Sequence, residues 1–211
     1  MKSDYNCIFC RKESFYDRLI FESDYFFLIL DQNPVIDNHY LLVSKKHVTA
    51  LGYLNTDAIL EVKYILDNLQ NSKIFNSDYL TVFERGNKHE NKSDQTSIDH
   101  THLHLFNLKD SLFQQFPLGT YTKNFSLLDL QNQVRRKSYF TYGDIKLNIW
   151  KVGDSEYCPS QYIRKFISEA NGLYDWNWRS QTISKFKDRW KDKIINNLKI
   201  DSAFAHFEFY K

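Results

Sequence analysis

Residues 97–107 read SIDHTHLHLFN and place His100, His102 and His104 at every second position. Side chains two apart on an extended chain point to one face, so this spacing predicts a strand with an imidazole ridge on one side and Thr101, Leu103 and Leu105 on the other. A single histidine on a strand is usually structural. Three in register, with apolar residues at all but one of the intervening positions, point to chemistry at that face.

Working outward, RLIFESDYFFLILD predicts two strands around a turn at Glu22, Ser23 and Asp24, and NPVIDN a loop. HYLLVSKKH predicts a third strand. NTDAILEVKYILDNLQNSK has the apolar spacing of a helix capped near Asn55 or Thr56, with Ile59, Val62, Leu66 and Leu69 on one stripe. YLTVFERG predicts a strand that leads through the polar stretch NKHENKSDQT into the histidine row. The pattern predicts an α+β fold, an antiparallel sheet crossed by one long helix. Beyond it, RRKSYFTYGDIKLNIWKV predicts a hairpin, Ser160 caps a helix to about Ala170, a further helix runs from Gln181 to Leu198, and SAFAHFEFYK alternates like a final strand. With no Pro/Gly-rich linker between them, residues 1–118 are expected to form the main domain and residues 119–211 a mixed helix and strand extension packed on it.

Lys and Arg number 28 against 26 Asp and Glu, so the overall field gives no strong case for nucleic acid or a membrane, and any anion site is local. No run reaches the roughly 20 apolar residues of a membrane span, and MKSDYNC lacks an apolar signal segment, which makes a cytoplasmic location the expectation. The three cysteines are too few for a disulfide framework. Cys7 and Cys10, in CIFC, read as half of a metal site or as a redox pair. A thioredoxin-type pair would need a preceding strand, so zinc is the better reading, with His47 and one member of the histidine row as candidates for the other half.

CIFC, DQNPVIDNHYLLVSKKH and HTHLHLF, in that order over about residues 5–110, resemble the histidine triad family. The resemblance implies a nucleotide hydrolase or nucleotidyltransferase in which His102 attacks the α-phosphorus of a nucleotide ester, amidate or polyphosphate and is transiently nucleotidylated. It further implies that His104 contacts the phosphate or leaving-group side, that His39 belongs to the proton network, that Asp31 binds ribose hydroxyls, and that Ser97 contacts phosphate. In the zinc-containing members the first histidine of the row is a ligand, giving a structural zinc on Cys7, Cys10, His47 and His100. The implied partner is a nucleotide or dinucleotide, with homodimerisation through sheet and helix contacts unless the extension covers that interface.

This chain departs from the family pattern in three places. KSDQTS replaces the Gly-Gln pair common before the row and leaves Gln95 one place early; Thr101 stands for an apolar residue, and SKKH for Pro-Lys-Lys-His. FERGN (Glu84, Arg85, Gly86) is a candidate to supply the missing leaving-group contacts. In the extension, Gln161 and Arg164 open a helix whose N-terminus could hold a phosphate, and WNWRS (Trp176, Trp178, Arg179) offers stacking surfaces. Two alternatives remain: processing of capped RNA or adenylated DNA ends, and a nucleotide-binding adaptor that retains the fold and zinc but not catalysis.

Overall fold

The structure, a computed structural model, describes residues 7–37, 39–72, 75, 78–88, 98–123, 126–135, 137–174, 176–177, 187–199 and 201–210. In chain order its elements are β1 (Leu19–Glu22), β2 (Phe26–Leu30), β3 (His39–Ser44), α1 (Thr56–Asn71), β4 (Tyr79–Gly86), β5 (His102–Leu108), β6 (Thr120–Lys123), α2 (Leu127–Val134), β7 (Tyr139–Asp144), β8 (Ile149–Asp154), α3 (Tyr162–Ala170), α4 (Lys187–Lys199) and β9 (Glu208–Phe209). The nine strands form one antiparallel sheet in the order β6-β8-β7-β4-β5-β3-β2-β1-β9. The extension therefore continues the sheet at both ends. Its β7 takes the free side of β4, pairing Glu84 with Thr141 and Gly86 with Tyr139, and its β9 covers β1.

Strand alternation divides the sheet into two faces. One face buries Leu28, Leu42, Val82, Leu103 and Leu105 against Ile59, Val62, Leu66 and Leu69 of α1. Asn55 starts that helix as anticipated, its side chain accepting the Ala58 N–H. Leu127, Leu130 and Val134 of α2 join the same cluster. The opposite face carries the alternate residues: Leu41 and Val43 pack with Phe9 and Phe15 of the N-terminal segment, while Phe83 and Phe106 pack with Ile163 and Ile167 of α3. His102 and His104 lie on this second face, between the two segments that cover it.

Several elements differ from expectation. His100 precedes β5, and its N–H is turned back to the Ile98 carbonyl (2.8 Å), so the three histidines are not one straight row. Helix α3 is not capped by Ser160: the cap position is Gln161, in the left-handed region at φ 64°, with no side-chain cap. A turn from Pro159, whose carbonyl accepts the Tyr162 N–H (3.1 Å), shifts the start. The expected terminal strand shrinks to Glu208–Phe209 because Ser202–Phe204 forms a 3-10 turn, capped by Asp201, that brings Phe204 and Phe207 onto Phe21. The helix expected from Gln181 is seen as Lys187–Lys199, its first six residues lying outside the described ones. Strand β6 and helix α2 were not anticipated.

Candidate active site and metal centre

β3 and β5 bring the histidines together through their register, which sets His39 opposite Phe106, Leu41 opposite His104, and Val43 opposite His102. His102 Nδ1 lies 2.6 Å from the His100 carbonyl oxygen. A carbonyl can only accept, so the proton sits on Nδ1 and the Nε2 lone pair is left available. Burial holds this ring below the ordinary imidazole range, although the His100 carbonyl, Asp31 and Asp99 act the other way. The result at neutral pH is an uncharged imidazole with one nucleophilic nitrogen. Phe9, at 5.1 Å between ring centroids, packs against it.

His104 Nδ1 is 2.9 Å from His39 Nε2, and the rings are stacked. His39 Nε2 also lies 3.6 Å from Asp31 Oδ2. A proton on His39 Nε2 serves both neighbours and leaves His104 to carry its own proton on Nε2 as a donor. Burial drives His39 down to about 3 and His104 well below the usual range. For Asp31, burial works towards a higher value, but His39, Arg164, His104 and the Asn33 N–H together hold it well below the carboxylate range. Since both imidazoles are neutral at pH 7, the countercharge present at every pH is the Arg164 guanidinium.

Arg164 reaches this group from the extension, 133 positions away in sequence. Its Nη1 is 3.3 Å from each Asp31 oxygen, Nη2 donates to the Asn33 carbonyl, and Nε donates to the Trp176 carbonyl (3.1 Å). All three nitrogens thus serve the protein itself, and the pair joins α3 to the loop after β2. Asp31 Oδ1 additionally accepts the Asn33 N–H (2.8 Å).

His102, His104, Asp31 and Arg164 line one cavity of about 170 Å³, to which Ser160 and Gln161 also contribute. Arg85 lines it too. Its Nε donates to the Cys158 carbonyl (3.0 Å), while its Nη1 is buried without a hydrogen-bond partner. Glu84 does not belong to this site. It points to the other face, where it accepts the Leu51 N–H (2.9 Å) and meets the Tyr139 hydroxyl, as alternation from Arg85 requires. Gly86 is a packing residue, because a Cβ there would stand 2.7 Å from that of Ala50. Gln95, Ser97, Trp178 and Arg179 lie outside the described residues.

Beside the cavity, Cys7, Cys10, His47 and His100 converge, each offering one ligand atom within 4.8 Å of the others. Cys7 Sγ is 3.4 Å from His100 Nδ1, Cys10 Sγ is 3.2 Å from His47 Nδ1 and 3.7 Å from His100 Nδ1, and the two Nδ1 atoms are 3.2 Å apart. Tetrahedral bonds of about 2.3 Å to sulfur and about 2.0–2.1 Å to nitrogen call for ligand separations of roughly 3.3–3.8 Å. The donor set fits that cage. His100 Nε2 lies 2.7 Å from the Ser44 carbonyl, which fixes its proton there and turns the Nδ1 lone pair to the cluster. Burial pushes the Cys7 thiol up to about 11 despite the N–H groups of Phe9 and Cys10, so a thiolate there requires a cation. A second group, Asp31, His39 and His104, also converges, but Arg164 already supplies its positive charge.

Sequence reasoning missed Phe9 and Asn33. Phe9 was open to detection as the aromatic one of the two apolar residues between the cysteines; nothing local marks Asn33.

A histidine-rich strand with its proton partner on the neighbouring strand, set beside a Cys2His2 cluster on an antiparallel sheet, defines a histidine triad protein. More particularly, the family model described as "Scavenger mRNA decapping enzyme C-term binding" matches residues 6–115, over half of the chain, and the chain belongs to that family. Among solved structures, a histidine triad protein from Clostridium difficile is similar at 23% identity over 53% of this chain and 96% of its own, with a TM-score of 0.41. A HIT family hydrolase from Clostridium thermocellum is 19% identical over 49% of this chain and 90% of its own, with a TM-score of 0.38. A zinc-bound histidine triad family protein from Mycobacterium smegmatis is 20% identical over 62% and 91%, with a TM-score of 0.38. No curated protein matches significantly. Among the described residues, no helix is long and apolar enough to cross a membrane.

Proposed function

We propose that the chain is a nucleotidyl hydrolase or transferase working through a nucleotidyl-histidine intermediate on His102. The observation that carries this reading is the 2.6 Å bond from His102 Nδ1–H to the His100 carbonyl, which leaves a neutral ring with its Nε2 lone pair at a cavity wall. In the first step Nε2 bonds to the α-phosphorus as the bond to the leaving group breaks. His104, oriented by His39, donates a hydrogen bond to a phosphoryl oxygen or to the leaving group. In the second step water or another acceptor attacks phosphorus, and the P–N bond breaks. Asp31 at the cavity wall accepts from a ribose hydroxyl in this reading, sharing its oxygens with Arg164, and Gln161 borders the phosphates; the family resemblance gives a phosphate-contacting role to Ser97 and Gln95 as well.

Cys7, Cys10, His47 and His100 hold a zinc ion in the same reading. With four protein ligands it is structural, tying the N-terminal segment to the residue whose carbonyl orients His102. The family match favours a capped mRNA fragment as one substrate to try.

The test is intact-mass detection of a nucleotide adduct after brief incubation with nucleoside phosphoramidates, dinucleoside polyphosphates and cap dinucleotides. The expected adduct is absent in His102→Ala. A wild-type protein that neither turns over nor labels with any of them defeats the enzyme reading.

A further inference from the structure

We infer that Arg85 binds a second anionic group of the substrate, next to the phosphoryl centre facing His102, and so makes this site selective for substrates whose leaving side carries its own negative charge. This deepens the proposed function and rests on it only for the identity of the attacked centre.

Arginine stays charged at every accessible pH and carries five donors. Arg85 is fixed at one end, where Nε donates to the Cys158 carbonyl (3.0 Å), yet its Nη1 is buried with no partner. A buried donor without an acceptor costs free energy that a ligand oxygen would recover. Arg18 and Arg164 also line the cavity, but their guanidinium groups are engaged: Arg18 donates to the carbonyls of Leu30 and Ser14, and Arg164 is spent on Asp31, Asn33 and Trp176. Among the described cavity residues, Arg85 thus offers a cationic donor for a ligand.

Its strand register sets it at the flank of the attacked centre, within reach of a phosphate next to the one facing His102. β4 pairs with β5 so that Phe83 stands opposite His104. Arg85 lies one pleat further along, on the same face, towards the end of β5 where His102 sits. Cys158, which holds Arg85, belongs to the extension, so the minimal triad region does not position this guanidinium alone. Where the leaving group is a phosphate, its oxygen takes the electron pair of the breaking P–O bond as negative charge, and Arg85 is placed to stabilise it without transferring a proton.

Equilibrium binding tests this independently of turnover. Calorimetry would compare a nucleoside triphosphate with the matching monophosphate on the zinc-loaded protein and on Arg85→Gln and Arg85→Lys. A charge-assisted bond of ordinary strength predicts that wild type prefers the triphosphate by roughly 10- to 100-fold. Arg85→Gln should lose most of that preference, with monophosphate affinity changed less than about threefold, and Arg85→Lys should recover part of it. Equal wild-type affinity for the two nucleotides, or a preference that survives in Arg85→Gln, overturns the inference, as does a Gln variant that weakens both ligands alike. A missing His102 adduct beside an Arg85-dependent preference would reject the catalytic reading while leaving this one standing.

Discussion

Glu84 sits on the face of the sheet away from the cavity, 1% exposed, held by the Leu51 N–H and the Tyr139 hydroxyl. Burial raises its carboxyl from 4.5 to about 7, with those two hydrogen bonds opposing the rise. The folded state therefore keeps a proton that the unfolded chain has already released between pH 4.5 and 7. The unfolded state binds fewer protons in that window, so this residue's contribution to stability is fully present below pH 4.5 and is lost as pH rises through 7. A shift of about 2.5 units corresponds to about 3 kcal/mol. Glu84→Gln copies the protonated acid in shape and stays neutral. Urea denaturation of both proteins at pH 4.5 and pH 8 isolates the effect, because the other titrating groups are common to both and cancel in the difference. The variant should match wild type at pH 4.5 and exceed it by about 3 kcal/mol at pH 8, with an unchanged slope against urea. A stability difference that is the same at both pH values would refute the reasoning.

Arg164→Ala should cost about 3–5 kcal/mol in urea unfolding, since it leaves Asp31 buried without its permanent countercharge. Cys7→Ser, or exhaustive chelation, should lower the melting temperature and release about one zinc per chain on metal analysis; a chelator-insensitive melt would contradict a structural metal. Asn55→Ala should destabilise by about 1 kcal/mol by removing the cap on α1, as read by the urea midpoint.

The parts of this molecule that were legible beforehand are those whose signal is local. β4 and the β7–β8 hairpin have strand patterning bounded by turn residues, and α1 has both an apolar stripe and a capping asparagine. Ligand chemistry suggested Cys7 and Cys10 with His47 and one member of the histidine row, and the resemblance to the histidine triad family implied that this member is His100. Helix α2 was missed although Ser126 accepts the Asp129 N–H and Leu127, Leu130 and Val134 have helical spacing; eight residues were too short a window. The left-handed Gln161 carries no turn residue to announce it. The Asp31–Arg164 pair spans 133 positions, and its partners are selected by the three-dimensional path of the extension, which no spacing rule encodes. Glu84 and Arg85 were read together as site residues, but on a strand adjacent residues face apart.

The pairing of β1 with β9 has a consequence for how the chain is made. Glu22 and Tyr210 are hydrogen-bonded across 188 positions (2.8 Å), and the Phe21 and Phe207 rings pack at a tilt, 4.8 Å between centroids. During synthesis β1 must wait, its outer edge uncovered, until residues 208–210 have left the ribosome. A contact of such long range forms late, and an uncovered apolar edge is an invitation to aggregate. Chaperone dependence in expression should accordingly rise sharply when the residues that pair with β1, Glu208 to Tyr210, are removed.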